Sequence, residues 1–163
     1  MRWFLLLILA ASLAAQERTV VILRHAEKLG RLDSADLSAS GRRRAESLAE
    51  ELAAFRPARL YASDRPRSQQ TLAPLARRLG LALQVRRYGE EAALAEEILG
   101  SEDASLVVCA HSDTIGPLAR ALGHTVTIPE VQAFDRLWVL RLGPQGLLGL
   151  EERRQRPVPE GAR

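Results

Sequence analysis

Two of the three histidines in the chain stand directly after short apolar runs: "TVVILR" leads into His25, and "SLVVCA" leads into His111. Arg24 precedes the first histidine, and a further pair of arginines, Arg65 and Arg67, falls in "YASDRPRSQQTL". An imidazole is substantially neutral at physiological pH and carries an in-plane lone pair, so it can serve as nucleophile, base or metal ligand. A guanidinium is planar and permanently charged, and it grips two oxygens of a phosphate or carboxylate at once. Together these residue types suit the handling of an anionic group. Taken one at a time they admit a plainer reading, in which the charges mark the return of the chain to water and His25 is a solvated loop residue. A zinc site built from His25, His111 and an acid runs against the neighbouring arginines, which repel a cation.

The elements that must position these side chains follow from the pattern of apolar residues. "TVVIL" (19–23) is short, β-branched and bounded by charge, as a buried strand is. "LSASGRRRAESLAEELAAF" (37–55) has helical spacing at Ala45, Leu48, Ala49 and Leu52, with Ser38 as N-cap. "ARLYAS" (58–63) is a second strand, and "RPRSQQTLAPLARRLG" (65–80) a second helix with Pro66 in its first turn and Gly80 at its stop. Pro74 is expected to kink or divide that helix. A strand over 81–86, a helix over 90–100, a strand over 105–110 and a short helix over 114–123 follow. "DRLWVLRL" (135–142) and "GLLGLEE" (146–152) then pair across Gly143-Pro144. The alternation predicts an α/β domain, a three-layer sandwich with a mostly parallel central sheet and helices on both faces. In such folds ligands sit beyond the carboxyl ends of the strands, which is where Arg24, His25 and His111 fall.

"LRHAEK" after a strand, "YASDRPRSQQTL" before a helix and "VVCAHSDT" after another strand resemble the histidine phosphatase superfamily, whose fold is phosphoglycerate mutase-like. "LSASGRRRAESLAEEL" is similar to the family's helix after its first motif, so the resemblance spans roughly residues 19–142. It implies that His25 is the nucleophile, forming a phosphohistidine that water hydrolyses. It implies that Arg24, Arg67 and His111 hold the phosphoryl group, with Arg67 preferred over Arg65 because it lies four residues after Ser63. Two arginines and a histidine around one nucleophile supply the positioning and charge stabilisation that phosphoryl transfer requires. The resemblance implies neither a metal nor a cofactor.

The proton donor to the leaving oxygen is not singled out. Family members carry a glutamate in the region of Glu90 and Glu91, yet "YGEEAALAEEIL" reads equally as the acidic first turn of a helix. Asp113 and Glu27 are further candidates. Ala26 stands where glycine is commonest in the family, which is tolerable if the backbone there has negative φ. Only about 43 residues separate Arg67 from His111, leaving little room for the lid of a mutase and favouring a phosphatase with an open site.

At 163 residues the chain is long enough for one domain with a proper core. Its hydrophobic share of 47%, charged share of 26% and net charge of +3 are those of a soluble globular protein. The basic residues are interspersed with acidic ones and are not interleaved with aromatics, which argues against a nucleic-acid surface. Residues 1–15, with Arg2, the apolar "WFLLLILAASLAA" and small residues near its end, have the form of a secretory signal peptide, an uncleaved membrane anchor being the alternative. The expected organisation is therefore a signal peptide over 1–15, a phosphatase domain over 16–152 and a loose tail over 153–163. The mature protein is expected to be periplasmic or secreted, without stable membrane association. The single cysteine, Cys109, has no disulfide partner and sits in an apolar run, as a small buried hydrophobe does.

The leading expectation is a phosphatase acting on a small phosphorylated molecule. A phosphohistidine-protein phosphatase is the alternative within enzymes, and a phosphate-ester binding module that has lost catalysis is the alternative outside them.

Overall fold

The computed structural model describes residues 17–158. The expected signal peptide lies outside the described residues. The elements in chain order are β1 (Arg18–Arg24), α1 (Ala39–Ala53), β2 (Arg59–Ser63), α2 (Pro66–Leu79), β3 (Leu83–Arg86), α3 (Glu91–Gly100), β4 (Ser105–Ala110), α4 (Ile115–Ala121), β5 (Arg136–Gly143) and β6 (Gly146–Arg154). One six-stranded sheet runs β3-β2-β4-β1-β5-β6. Its β3-β2, β2-β4 and β4-β1 pairings are parallel, and β1-β5 and β5-β6 are antiparallel. Among the described residues no helix is long and apolar enough to cross a membrane.

The alternation of side chains along each strand divides the core in two. Val21 and Leu23 of β1, with Leu60, Val107, Cys109, Leu137 and Val139, face α1 and α2 through Leu48, Leu52, Leu72 and Leu75. Val20 and Ile22 point the other way, with Tyr61, Leu106, Val108, Trp138 and Leu140, onto Ala95 and Ile98 of α3 and Ile115 and Leu118 of α4. This is the three-layer sandwich the sequence predicts. Because both faces of β1 and β4 are covered, their inner stretches Val20–Leu23 and Leu106–Ala110 are apolar at every position. The four residues Val20–Leu23 are almost wholly buried; each contributes roughly 1.5–3 kcal/mol of hydrophobic stabilisation.

Local signals set the helix ends. The Ser38 hydroxyl accepts from Gly41 N at 3.1 Å and opens α1. Pro66 opens α2, and Gly80, with φ 66, closes it in the left-handed conformation. The expected break at Pro74 does not divide α2, which is one helix from Pro66 to Leu79. A proline inside a helix costs about 3 kcal/mol; here Pro74 is itself buried, and the packing of α2 on α1 and the sheet offsets that loss.

The expected tail boundary also moves. β6 extends to Arg154 through the register Arg136↔Arg154 with β5, and the following Gln155 is buried. Its N–H donates to Asp135 O at 2.7 Å, and its side-chain oxygen accepts from Arg44 at 2.9 Å. The start of the segment expected to be loose is thus part of the fold, because it continues a strand ladder and fills a polar niche. Residues 159–163 lie outside the described residues.

The topology does for the site what sequence spacing cannot. β1 and β4 are parallel neighbours with Arg24 opposite Ala110, and His25 N donates to Ala110 O at 3.0 Å. His25 and His111, some 86 positions apart, therefore leave the sheet side by side. β2 lies on the other side of β4, with Ala62 opposite Cys109, which brings Ser63 and the start of α2 to the same edge.

Candidate active site

The side chains of His25 and His111 are 3% exposed, and their ring centroids are 5.1 Å apart. Arg67, 6% exposed, reaches both from the first turn of α2. Its Nε–H donates to His25 Nε2 at 3.0 Å, and its Nη2 to His111 Nδ1 at 3.3 Å. Since a guanidinium can only donate, both of these imidazole nitrogens are unprotonated acceptors.

The opposite nitrogens complete the assignment. His25 Nδ1 lies 2.7 Å from Ala26 O, and a carbonyl can only accept, so the ring proton is on Nδ1 and the lone pair is on Nε2. His111 Nε2 lies 2.7 Å from Ser63 Oγ and donates to it. Both rings are therefore neutral, and the electrostatics agree. Burial, followed by Arg67 and Arg24, pushes the His25 pKa down to about 4, although its bond to Ala26 O opposes this. Burial, His25 and Arg67 push that of His111 down to about 3. The Arg67 pKa is lowered chiefly by its own burial.

Hydrogen bonds from the scaffold hold these groups in register. Thr71, one turn after Arg67, accepts from Ala26 N at 2.9 Å and donates to Arg67 O at 2.7 Å, joining the strand-end loop to α2. Ser68 Oγ accepts from Ser63 N and donates to Cys109 O, joining α2 to β2 and β4. Thr114 Oγ1 accepts from His111 N at 3.0 Å. Ala26 is fully buried against Leu37 and Ala45 and does not have a positive φ, so the extra methyl is accommodated.

The sequence pattern of the histidine phosphatase superfamily (branch 1) matches residues 20–95, which contain Arg24, His25 and Arg67. Over that stretch the chain is similar to the histidine phosphatase superfamily. No curated protein matches the sequence. Among solved structures, a protein named as the phosphohistidine phosphatase SixA of Nakamurella multipartitia is 25% identical with a TM-score of 0.61, the alignment covering 90% of this chain and 99% of that one. The protein histidine phosphatase SixA, solved with tungstate, gives 21% identity and a TM-score of 0.65 over 81% of this chain and 95% of that one. A mycobacterial glucosyl-3-phosphoglycerate phosphatase gives 19% and 0.64 over 85% and 98%.

The two arginines at the start of α2 are placed differently. Arg67 touches both histidines, whereas the Arg65 guanidinium lies over the Tyr88 ring at 5.1 Å. Arg24 lies at the site's edge. Its guanidinium carbon is 4.0 Å from the centre of the Phe134 ring and its Nη1 donates to Gln132 O, while its buried Nε has no partner among the described residues. Phe134 also approaches the His25 ring, at 6.1 Å. The loop carrying it is tied to the turn after β4 by Val131 N donating to Ser112 O.

The four candidate acids separate clearly. Glu27 is held by Arg44 through contacts of 2.7–3.0 Å, and its pKa ends below the ordinary carboxylate range although burial opposes this. It braces the loop after His25 against α1. Glu90 pairs with Arg87 at 4.0 Å, and Glu91 folds back to accept from Gly89 N at 3.2 Å. Both line a cleft of about 350 Å³ that His111, Tyr88, Leu94 and Leu118 also line. Asp113 accepts the Tyr88 hydroxyl proton, and the Tyr88 ring meets the His111 ring edge-on at 4.9 Å.

Sequence reasoning did not mark Tyr88 or Asp33. Asp33 O accepts from Arg67 Nη1 at 2.5 Å, and its carboxylate lies 3.7 Å from both Arg67 and Arg65. Thr71 had a usable signal, its spacing of four from Arg67 on one helix. Among the described residues, no three histidine, cysteine, aspartate or glutamate side chains converge as a metal ion would require.

Proposed function

We propose that this protein is a phosphatase that hydrolyses a small phosphomonoester through a phosphohistidine on His25. The observation that carries the reading is the state of His25. Its Nδ1 proton is tied to Ala26 O, and its Nε2 lone pair meets the Nε–H of Arg67. A nucleophilic nitrogen, fixed in its tautomer and facing a phosphate-type donor, is the constellation that phosphoryl transfer requires.

In the first half-reaction the Nε2 lone pair forms the P–N bond as the P–O bond to the leaving alcohol breaks. Arg67 turns its donors from Nε2 to the phosphoryl oxygens. Arg24 offers its unpartnered Nε, and His111, once its Nε2 proton is withdrawn from Ser63, donates to the charge that builds on phosphorus-bound oxygen. Water then attacks phosphorus, the P–N bond breaks, and inorganic phosphate leaves with His25 neutral again. The charge stabilisation comes from arginine and histidine, so turnover is expected to persist in EDTA. Solved complexes of the mycobacterial glucosyl-3-phosphoglycerate phosphatase with VO3 and with inorganic phosphate support a phosphoryl-holding role for the pocket.

A second reading, a phosphohistidine phosphatase, is favoured by the likeness to SixA. The signal-like residues 1–15 favour the ester, because an exported chain is removed from cytoplasmic phosphoproteins. We place the mature protein in the periplasm or outside the cell, and fractionation of native cells tests that. The catalytic reading is tested with p-nitrophenyl phosphate in EDTA, beside His25→Ala. Turnover in the parent and none in the variant supports it. Turnover that survives the substitution overturns it, and a parent active only on phosphoramidate or phosphohistidine peptide moves the function to the second reading.

A further inference from the structure

We propose that Asp113, positioned by Tyr88, is the proton donor to the leaving oxygen and the proton acceptor from the attacking water. The proposal rests on the phosphohistidine reading and supplies the proton path that reading lacks.

Three observations lead to it. The other three candidate acids are engaged elsewhere: Glu27 in its two-pronged pair with Arg44, Glu90 with Arg87, and Glu91 with the Gly89 amide. Asp113 has no arginine partner among the described residues, although Arg24, Arg67 and His111 all feel its charge. Its one side-chain partner is the hydroxyl of Tyr88.

Tyr88 is itself fixed by the site. One side of its ring carries the Arg65 guanidinium, its edge meets His111, and its N–H donates to Asp64 Oδ1 at 3.2 Å. The hydrogen bond to Asp113 and burial push the Tyr88 pKa up to about 12, so the phenol stays a donor throughout the working range. It occupies Oδ2 and leaves Oδ1 of Asp113 available for proton exchange. Asp113 stands two residues beyond His111, on the turn into α4, and the aromatic contact holds that turn beside the phosphoryl-binding ring.

The proton balance closes over one cycle. Asp113 rests as the carboxylate, takes the proton that a monoanionic phosphomonoester carries on a phosphoryl oxygen, and passes it to the leaving oxygen as the P–O bond breaks and the P–N bond forms. The carboxylate then takes a proton from water as the new P–O bond forms and the P–N bond breaks, and returns it to the departing phosphate. His25 and Asp113 end as they began, and Tyr88 keeps its proton throughout.

The test compares p-nitrophenyl phosphate, whose phenolate departs readily, with phenyl phosphate, whose phenolate is as basic as a tyrosinate and gains from protonation. Both present a similar ring, so their ratio of kcat/KM reads proton donation rather than fit. General acid catalysis contributes about 10²–10⁴-fold where it is fully needed. In Asp113→Asn, kcat/KM for phenyl phosphate is expected to fall at least tenfold further than for p-nitrophenyl phosphate. Tyr88→Phe is expected to shift the ratio in the same direction by less, and Asp113→Glu to recover part of it. Equal falls on the two esters in Asp113→Asn, or the same selectivity in Glu91→Gln but not in Asp113→Asn, overturn the assignment while leaving His25 chemistry standing. A parent inactive on both esters overturns the phosphohistidine reading and this proposal together.

Discussion

Acidification should destabilise the fold well before its carboxylates titrate, because two neutral histidines are buried against arginine. The perturbation is a shift from pH 7.5 to pH 5. His25 and His111 have folded pKa values of about 4 and about 3, against an ordinary value near 6.5. Both folded values are depressed, so the unfolded chain binds more protons in the window between roughly pH 6.5 and pH 4, and stability there rises with pH. At pH 5 each histidine gains protonation free energy of about 2 kcal/mol in the unfolded state and almost none in the folded one. The pair therefore removes about 4 kcal/mol, a large part of a typical 5–15 kcal/mol total. Urea unfolding at the two pH values, followed by circular dichroism, measures it. His111→Asn removes one of the titrating groups and should lower the pH-dependent loss to about 2 kcal/mol. A loss below about 1 kcal/mol in the parent, or ring-proton NMR titrations of either histidine near pH 6.5, refutes the reasoning.

Three further outcomes follow from the same contacts. Arg67→Lys loses the planar fork that spans His25 and His111, so kcat/KM on p-nitrophenyl phosphate should fall by about 10²–10³-fold with the circular dichroism spectrum kept. Gly41→Ala places a Cβ only 2.1 Å from Glu27 O; the first turn of α1 must move off the loop after His25, at a cost of about 1–3 kcal/mol in urea unfolding. The Cys109 thiol is fully buried and its pKa is pushed up to about 12 by that burial, so it should resist a thiol reagent in the native protein and react at once in urea.

The parts of the fold legible in the sequence are those written in short-range patterns. Val20–Leu23 and Leu106–Ala110 are apolar at every position because both sheet faces are covered, and those unbroken runs mark them as central strands. Ser38, Pro66 and Gly80 each satisfy a local requirement of a helix end, which is why they predict helices within a residue or two of the observed ones. The undivided α2 at Pro74 and the strand-paired start of the tail at 153–155 depart from expectation for one shared reason: local preference is overridden by packing. Pro74 is buried within a helix packed on α1, and Gln155 is buried by Asp135 and Arg44, contacts made across about 20 and 111 positions of sequence.

The same distinction governs the site. His25, Arg24 and His111 could be read from sequence because each stands at the carboxyl end of a buried strand, and parallel neighbours release their C-terminal residues at one edge of the sheet. Arg67 was legible through the resemblance, which puts that arginine four residues after Ser63, and the helix start at Pro66 sets its turn. Tyr88, Phe134 and Asp33 come from loops, and no periodicity or cap records where a loop returns. Their positions depend on contacts that exist only once the sheet has formed: Tyr88 on His111, Phe134 on Arg24, Asp33 on Arg67. On the proposed reading the phosphoryl-binding groups sit at strand ends and on α2, and the loop residue Phe134 is placed to meet the rest of the substrate. On that reading a change of substrate is made by replacing Phe134 on its loop, while Arg24, His25, Arg67 and His111 stay fixed and Tyr88 keeps Asp113 in place.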